Sequence, residues 1–441
     1  MTAEGPVAPP IRRAVILVGN PAAPYSRALR FARTLVAAGW QVEIAATAGP
    51  DLADREQGDG WTLRRYHASG RWAAIGASRS GSARSGAVPP AGSVRGRARH
   101  ITGAVRRTVL AIRRWLFWPH TVRGWWATLS RELPPADLYH ACGSLTIAAA
   151  LAARDRHPIG PAGAPAVVIY DAIDDVFESN NVLDMPPPIR RVHRWREGRW
   201  ARRADGLVTV NEALSARLGA RWHRSPVVVP NLPDIGRTAA EPGGGSPLRQ
   251  AIGAGPDVPI VLFQGRLGPR LGLDEAAEAV LRVPSAVLVL LGFGRGFPAA
   301  LDRDSDPRYA GHHRTLPARH PDELLAWTRD ADVMLIPLPP VSENQRLSSP
   351  NKFWEAIAAG TPVVVADGLT VMSRLVREHD LGVVARSSGP DDLAAAINAV
   401  LQRRAMDPGW PERIRATAAE RFAWHHVASR YLDLVASLER A

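Results

Sequence analysis

Three polar side chains of different chemistry, Ser349, Lys352 and Glu355, lie in one short segment, residues 347–367. That segment predicts a loop, a helix and a buried strand. A helix start offers free backbone N–H groups and a partial positive charge, which suit a phosphate or a ribose hydroxyl. Lys352 adds a cation, and Glu355 adds a carboxylate that can accept two hydroxyl hydrogen bonds. From spacing alone, a capped helix with both side chains solvated is an equally good interpretation.

Local signals place the start and end of this helix. Serine and asparagine residues suited to the N-cap surround Pro350, which suits the first helical turn. Gly360 is expected to end the helix, and Pro362 prevents its continuation. The apolar run 363–366 then predicts a parallel strand buried on both faces. The polar side chains would therefore lie where a helix begins.

The segment resembles the nucleotide-sugar site of glycosyltransferase family 4, whose members are retaining enzymes with the GT-B fold. The family pattern S-P-x-K-x-x-E-x-x-A-x-G-x-P-V-V is matched at every fixed position over residues 349–364. The resemblance implies that Glu355 holds the donor ribose. It also implies that Ser349, Asn351 and Lys352 lie at the donor nucleotide, with Lys352 among the catalytic residues.

A second group of candidates lies at the carboxyl end of Pro259–Leu267, which predicts a strand meeting a glycine–arginine turn. The resemblance places the backbone of Gly265 and the guanidinium of Arg266 at the donor diphosphate. It puts Arg270 where members usually carry a lysine. A planar, permanently charged guanidinium suits paired phosphate oxygens. The alternative is a surface arginine at a strand end.

The opening of the chain predicts a strand, a helix and a strand, over Arg12–Gly19, Tyr25–Gly39 and Gln41–Ala46. This is the start of a doubly wound sheet. Gly19 would let a ligand, here the acceptor, approach the backbone at the end of the first strand, although a plain tight turn explains it equally. Arg27 and Arg30 loosely match an arginine that family members carry near the start of this helix.

Two later strand ends carry further candidates. His140 takes the first histidine position of a family motif whose histidine contacts the donor sugar in several members, and a buried histidine is the alternative. Asp171, Asp174 and Asp175 end a strand at the expected mouth of the cleft, where any of them, Asp171 and Asp174 first, could bind an acceptor hydroxyl. Clustered acids at a strand end are more often loop solvation or helix capping than a glycosidase pair.

Three positions depart from the family pattern. Leu347 stands where many members have a second glutamate near the donor sugar. Cys142 and Ile173 stand where histidine is usual. The choice of donor sugar and acceptor therefore stays open, as does whether these substitutions abolish activity.

Composition limits the classes of protein. The chain has 441 residues, enough for two or three domains, and a net charge of +13 that suits an anionic partner. Its single cysteine permits no internal disulfide and fits a reducing compartment. The N-terminus lacks an apolar signal core, and no apolar run reaches about 18 residues. These features predict a cytoplasmic protein.

Arginine and tryptophan alternate over Ile101–Leu133, after an insert over Arg71–His100 that is rich in glycine, serine and arginine. The insert predicts a flexible segment. The basic, aromatic stretch suits a helix at an anionic membrane surface. A core-packed helix with solvated arginines fits equally. Nucleic acid is the weakest interpretation, because no recognised nucleic-acid module accompanies the stretch, and no such partner is expected.

The predicted domains follow from these patterns and the resemblance. Residues 11–235 would form a Rossmann-like acceptor-binding domain, 236–255 a linker, and 256–415 a Rossmann-like donor-binding domain. Residues 416–441 would form a last helix that crosses back to the first domain.

The resemblance implies transfer of a sugar from a nucleotide diphosphate sugar to a hydroxyl acceptor with retained configuration. His140, Arg266 and Lys352 would be catalytic, and the nucleotide sugar would be the donor substrate, with no cofactor or metal. A membrane-bound acceptor, such as a lipid-linked or cell-envelope glycan, would fit peripheral contact with the inner face of an anionic membrane. Two alternatives stay open: a GT-B sugar-nucleotide epimerase and a catalytically inactive scaffold.

Overall fold

The computed structural model describes residues 11–23, 25–69, 112, 115–116, 118, 120–235 and 245–440. Within those residues the strands form two sheets, one of eight strands and one of six. The predicted α/β class, with two parallel-sheet domains, is confirmed.

The first sheet is built from the N-terminal half. Its strands are β1 (Arg13–Val18), β2 (Gln41–Thr47), β3 (Arg55–Gln57), β4 (Trp61–Tyr66), β5 (Leu138–Cys142), β6 (Val167–Ala172), β7 (Gly206–Thr209) and β8 (Val227–Val228). Their order is β3-β4-β2-β1-β5-β6-β7-β8, and β3 alone is antiparallel to its neighbour. Strand order reverses at β1, and ligands bind outside the carboxyl end of a sheet at such a point. Gly19 directly follows β1.

The helices of this half are α1 (Ser26–Ala37), α2 (His120–Glu132), α3 (Ile147–Arg156), α4 (Pro187–Arg203) and α5 (Glu212–Trp222). Successive side chains of a strand point to opposite faces. Accordingly Ile16 of β1 packs into one buried cluster and Leu17 into another. Both faces of this sheet are therefore covered.

The second sheet is parallel throughout, in the order β11-β10-β9-β12-β13-β14. Its strands are β9 (Ile260–Arg266), β10 (Val287–Phe293), β11 (His313–Pro317), β12 (Val333–Ile336), β13 (Val363–Ala366) and β14 (Gly382–Ala385). Strand order reverses at β9, so the end of β9, at Arg266, is the expected ligand side of this domain.

The helices that accompany this sheet are α6 (Pro247–Ile252), α7 (Leu273–Val280), α8 (Phe297–Asp304), α9 (Pro321–Arg329), α10 (Glu343–Leu347), α11 (Asn351–Ala359), α12 (Thr370–His379), α13 (Pro390–Met406), α14 (Trp410–Arg421) and α15 (His425–Glu439). The loop, helix and strand predicted for residues 347–367 are confirmed. They are the loop before α11, α11 itself and β13. Gly360 ends α11 with a φ of 77°, a left-handed conformation that favours glycine. Pro350 occupies the N-cap position, and no side chain caps the helix.

The end of the chain returns to the first domain. α14 packs against α11, and α15 packs against α1. Trp424 Nε1 donates to Thr34 Oγ1 over 2.8 Å, and Tyr431 Oη lies 3.0 Å from His140 Nδ1. These contacts tie the last helix to the first sheet.

The tryptophans of the basic, aromatic stretch pack into the first domain where the structure describes them. Trp115 and Trp125 are buried, and Trp125 Nε1 donates to the Ala46 carbonyl over 2.9 Å. Trp126 Nε1 donates to the Leu145 carbonyl. Buried indoles cannot reach lipid, so this placement fits the core-packing alternative and not tryptophans anchored at a membrane surface.

Other predictions concern segments that the structure describes incompletely. The insert 71–100 lies outside the described residues, as do positions 236–244 of the predicted linker. The remainder of that linker includes α6, a short helix. In the part of the chain that is described, no helix combines the length and apolar character needed to cross a bilayer.

Candidate functional site

Gly265 and Lys352 adjoin at the carboxyl end of β9. Gly265 has a φ of 106°, which a residue with a side chain rarely adopts. A Cβ added there would lie 3.9 Å from both Cε and Nζ of Lys352. Lys352 Nζ in turn lies 3.3 Å from the centroid of the Phe263 ring. The structure thus brings together two residues that the sequence placed at the donor, although they are 87 positions apart in the chain.

Glu355 is held by a short chain of side-chain hydrogen bonds. Gln264 Nε2 donates to Glu355 Oε2 over 2.6 Å, and Thr328 Oγ1 donates to Gln264 Oε1 over 2.9 Å. Gln264 is buried on β9, and Glu355 is half-buried on α11. Gln264 is therefore a positioning residue that aims the carboxylate, and the sequence analysis missed it because it lies inside an otherwise apolar strand.

Arg266 and Arg270 are exposed and reach across to the first domain. Arg266 Nη2 donates to Asn181 Oδ1 over 3.2 Å, and Arg270 Nη1 donates to the Asn180 carbonyl over 2.8 Å. Both arginines stand at the expected ligand side of the second sheet. An asparagine pair, Asn180 and Asn181, thus holds both guanidinium groups.

Ser349 and Asn351 lie at the contact between the domains. Asn351 Nδ2 donates to Ser26 Oγ over 3.0 Å, and Asn231 also bonds the Asn351 side chain. Asn211 Nδ2 lies 3.5 Å from Oγ of Ser349, which is buried. These two side chains therefore join the domains in this state, and their donor contacts stay predictions.

Asp174 lies at the mouth of the cleft, as the sequence predicted. It is exposed, and Asn344 Nδ2 of the second domain donates to it over 3.0 Å. Its neighbour Asp175 is buried and accepts from Arg217 and Arg221, 2.7–2.8 Å away. Asp174 is thus the acid of this loop that a ligand can approach, whereas Asp175 anchors the loop to α5.

Asp171 and His140 lie in the interior. Both carboxylate oxygens of Asp171 accept from Arg27, over 2.6 and 2.7 Å, and all three side chains are at most 1 % exposed. His140 is packed between Asp171, Tyr431 and the ring of Phe31. The predicted contacts of Asp171 with an acceptor and of His140 with a donor sugar do not agree with this placement, because neither side chain reaches solvent.

Arg27 also affects the ionisation of Asp171, which lies beside His140. Its charge and hydrogen bonds hold the pKa of Asp171 below its usual range although burial opposes this, while burial lowers the pKa of His140. His140, Cys142 and Asp171 bring potential metal-ligand atoms within 4.8 Å of one another. Because Arg27 occupies both carboxylate oxygens, the donor set does not fit a cation, and we assign no metal to it.

Gly19 is required by close packing. A Cβ added there would lie 2.9 Å from Cβ of Leu145, which belongs to the loop after β5. Gly19 thus lets the loops that follow β1 and β5 pack together. This agrees with the turn interpretation, and contact with an acceptor stays a prediction.

Comparison with known proteins identifies the second domain. Residues 258–403, which include β9, Lys352 and Glu355, match the family described as Glycosyl transferases group 1. The match extends from β9 into α13 and so covers most of the second domain. D-inositol 3-phosphate glycosyltransferase of Nocardia farcinica is 33 % identical over 267 residues, covering 57 % of this chain and 56 % of the relative. The Jonesia denitrificans protein of that name is 32 % identical over 211 residues, covering 44 % of this chain and 45 % of the relative.

The alignment spans about half the length of these curated relatives. Among solved structures, sucrose-phosphate synthase from Thermosynechococcus elongatus covers 97 % of this chain, with 99 % of its own length, a TM-score of 0.62 and 17 % identity. The Anabaena protein HepE in complex with UDP-glucose covers 96 %, with 99 % of its own length, a TM-score of 0.61 and 15 % identity. These likenesses confirm the GT-B fold.

The second domain faces Arg30, a residue of α1 whose place the sequence did not establish. Arg30 is 7 % exposed, and its guanidinium donates to the Asn231 carbonyl over 3.2 Å. Burial lowers the pKa of Arg30 to about 10, and the charge of Glu355 opposes that shift. Ser26, Arg30 and Glu355 line one cavity of about 40 Å³ between the domains, together with Pro321 of α9. The first domain therefore supplies a cation beside the predicted ribose carboxylate.

The ammonium of Lys352 is only weakly basic in this setting. Desolvation, and to a smaller extent the charge of Arg266, lowers the pKa of Lys352 to about 7, against the opposing effect of Glu355. A bound diphosphate would raise that pKa, because an opposite charge favours the ammonium form. Binding of an anion beside Lys352 should therefore be coupled to protonation of its amine.

We expect nucleoside diphosphate binding to take up a proton above about pH 7. At about pH 8.5 the free protein holds Lys352 mostly neutral, so binding should absorb up to one proton, and affinity should fall as pH rises from about 7 to 9. Calorimetry in buffers of different ionisation enthalpy measures the uptake. Lys352→Met should abolish it, and an unchanged uptake in that variant would assign the proton elsewhere.

Proposed function

We propose that the protein is a retaining glycosyltransferase that moves a sugar from a nucleotide diphosphate sugar to a hydroxyl acceptor. The observation that carries the proposal is the convergence of Lys352, Glu355 and Arg266 around the carboxyl end of β9, facing the first domain. Two cations suit a diphosphate, and a positioned carboxylate suits ribose hydroxyls. The names of the relatives and the UDP-glucose complex of HepE support a nucleotide-sugar donor.

The cations have a direct role in this chemistry. When the bond between the sugar and the diphosphate breaks, negative charge develops on the diphosphate oxygens. Arg266 and Lys352 would stabilise that charge, because both lie at the end of β9 where the diphosphate is expected. Arg270 would contact the same group. Retained configuration is proposed from the family resemblance, and no protein nucleophile is assigned.

Donor binding would require the domains to separate from the described state. The cavity beside Glu355 has a volume of only about 40 Å³, which is too small for a nucleoside. Arg266 and Arg270 would then exchange Asn181 and Asn180 for phosphate oxygens. These contacts between the domains would therefore break when the donor binds.

The acceptor is proposed to be a hydroxyl group on a lipid-linked or cell-envelope glycan at the cytoplasmic face of a membrane. Asp174 is the exposed carboxylate at the cleft mouth and would accept a hydrogen bond from that hydroxyl. A transferase needs this acceptor, whereas an epimerase converts the sugar nucleotide alone. Product analysis with and without acceptor therefore separates the two activities.

Glu355→Gln should weaken binding of the nucleoside diphosphate roughly 10- to 100-fold, because a hydrogen bond to a charged group contributes about 1.5–3 kcal/mol. The fold should be unaffected, since glutamine keeps the size of the side chain and the contact with Gln264. Calorimetry with the best binder among UDP, GDP, ADP and dTDP measures the loss. Glu378→Gln, an exposed change on α12, is the matched control. Equal affinities for wild type and Glu355→Gln would remove Glu355 from the donor site.

A further inference from the structure

The outer face of α4 carries apolar side chains that the first domain leaves uncovered. Ile189, His193 and Glu197 turn inward and are buried. Val192 and Trp195 turn outward and are 54 % and 58 % exposed. Residues three apart share one face of a helix, so these two side chains form a continuous apolar spot. Two neighbouring apolar side chains, one of them tryptophan, are therefore open to solvent on the outer face of α4.

Arginines surround that apolar spot. The helix contains seven arginines and one acid, Glu197, which is buried. Arg191 and Arg199 are exposed, and among the described residues neither forms an ion pair. Arg199 lies over the Trp195 ring, 5.5 Å from its centroid. The face therefore combines an aromatic side chain with unneutralised positive charge.

In the sequence, α4 follows closely on residues that contact the second domain across the cleft. α4 begins a few residues after the asparagine pair whose Asn181 bonds Arg266. Leu183, between that pair and the helix, is 40 % exposed. On the other side, Trp115 contacts α4 through its carbonyl, 2.8 Å from His193 Nε2, and the adjacent Leu116 is 52 % exposed. Exposed apolar residues thus occur on both segments that adjoin the helix.

We propose that the outer face of α4, defined by Arg191, Val192, Trp195 and Arg199, docks the protein on an anionic lipid surface. Tryptophan favours the headgroup region, and exposed arginines favour anionic headgroups. An acidic protein would also neutralise the exposed arginines, but the central tryptophan and valine match a lipid interface better. The proposal deepens the proposed function, because a surface beside the cleft would bring a lipid-linked acceptor to Asp174.

Vesicle co-sedimentation tests the proposal with the full chain. We expect binding to vesicles that contain about one third phosphatidylglycerol, weakened by salt, and little binding to pure phosphatidylcholine. Arg191→Gln with Arg199→Gln should lower binding roughly 25-fold, since each arginine near an anionic leaflet contributes roughly fivefold. Val192→Ser with Trp195→Ser should lower it at least tenfold. All four sites are exposed, so the fold should survive.

Matched controls separate docking from general charge. Arg374→Gln with Arg386→Gln removes the same charge from exposed positions of the second domain, and Met406→Ser removes a side chain that is 79 % exposed. Neither control should change vesicle binding. Equal recovery with both vesicle types, or equal losses in the α4 variants and the controls, would overturn the proposal. Binding to duplex DNA but not to vesicles would overturn it in favour of nucleic acid.

Nucleotide affinity in the absence of vesicles distinguishes this proposal from the proposed function. The α4 variants should bind the nucleoside diphosphate as the wild type does. A wild type that binds anionic vesicles but no nucleotide would refute the proposed function and leave docking in place. A wild type that binds nucleotide but no vesicles would refute docking alone.

Discussion

Arg266→Ala and Lys352→Ala are each expected to lower kcat with the nucleotide sugar roughly 100- to 1,000-fold, while binding of the free nucleoside changes little. Both cations lie where the diphosphate would gather charge as its bond to the sugar breaks. Groups that act mainly on developing charge stabilise the transition state more than the bound substrate, so their loss appears in turnover. The nucleoside is held by other groups, Glu355 among them.

Steady-state kinetics and calorimetry on the same preparations measure the two quantities. Arg374→Ala removes an exposed arginine of α12 that forms an i,i+4 pair with Glu378 and lies outside the site. That control should leave kcat and nucleoside affinity unchanged. Losses of the same size in turnover and in nucleoside binding would mean that Arg266 and Lys352 shape the domain and do not act on the leaving group.

Arg27→Met should destabilise the first domain by about 3–5 kcal/mol, because it leaves the carboxylate of Asp171 buried without a counter-charge. The pair is bidentate, and both side chains are at most 1 % exposed. For a domain of this size the loss corresponds to a fall in melting temperature of roughly 6–20 °C. The pKa of Asp171 is lowered in the folded state, so this stabilisation is present above the unfolded pKa and is lost as pH falls through the folded pKa.

Thermal unfolding followed by circular dichroism measures this effect. Arg203→Met breaks a solvent-exposed pair with Asp155 and should cost at most about 1 kcal/mol. Arg27→Met combined with Asp171→Leu should recover part of the loss, because no unpaired charge then remains. If Arg27→Met and Arg203→Met have the same melting temperature, the buried pair does not stabilise the domain as its geometry indicates.

Short-range signals in the sequence predicted the donor segment well. Gly360 and Pro362 act within a few positions of each other, so the end of α11 and the start of β13 could be placed from the sequence. The predicted serine and asparagine caps were wrong, because Pro350 occupies the N-cap position. The family pattern added the role of Glu355. It could not add Gln264, because a single amide in an apolar strand carries no signal of the partner it will meet.

The interior of the first domain could not be predicted in the same way. Asp171 pairs with Arg27, 144 positions earlier, and His140 meets Tyr431, 291 positions later. Asp171 is predicted at the cleft because its strand ends at the expected edge of the sheet, and His140 because it matches a histidine of the family motif. Burial by α1 and α15 depends on tertiary packing, and periodicity does not report it. The same limit applies to Trp115 and Trp125, whose pattern suited a membrane or a core equally.

Release of nucleoside diphosphate from a panel of nucleotide sugars tests the central claim most directly. The panel combines UDP-, GDP-, ADP- and dTDP-linked glucose and the corresponding acetamido and manno sugars, each incubated with the wild type and with Lys352→Ala. We expect the wild type to release nucleoside diphosphate from at least one donor, faster when a hydroxyl acceptor is present, and Lys352→Ala to release it roughly 100-fold more slowly or worse. Release at equal rates by the two proteins, or a wild type that neither binds nor cleaves any member of the panel, would contradict a nucleotide-sugar site at Lys352 and Glu355.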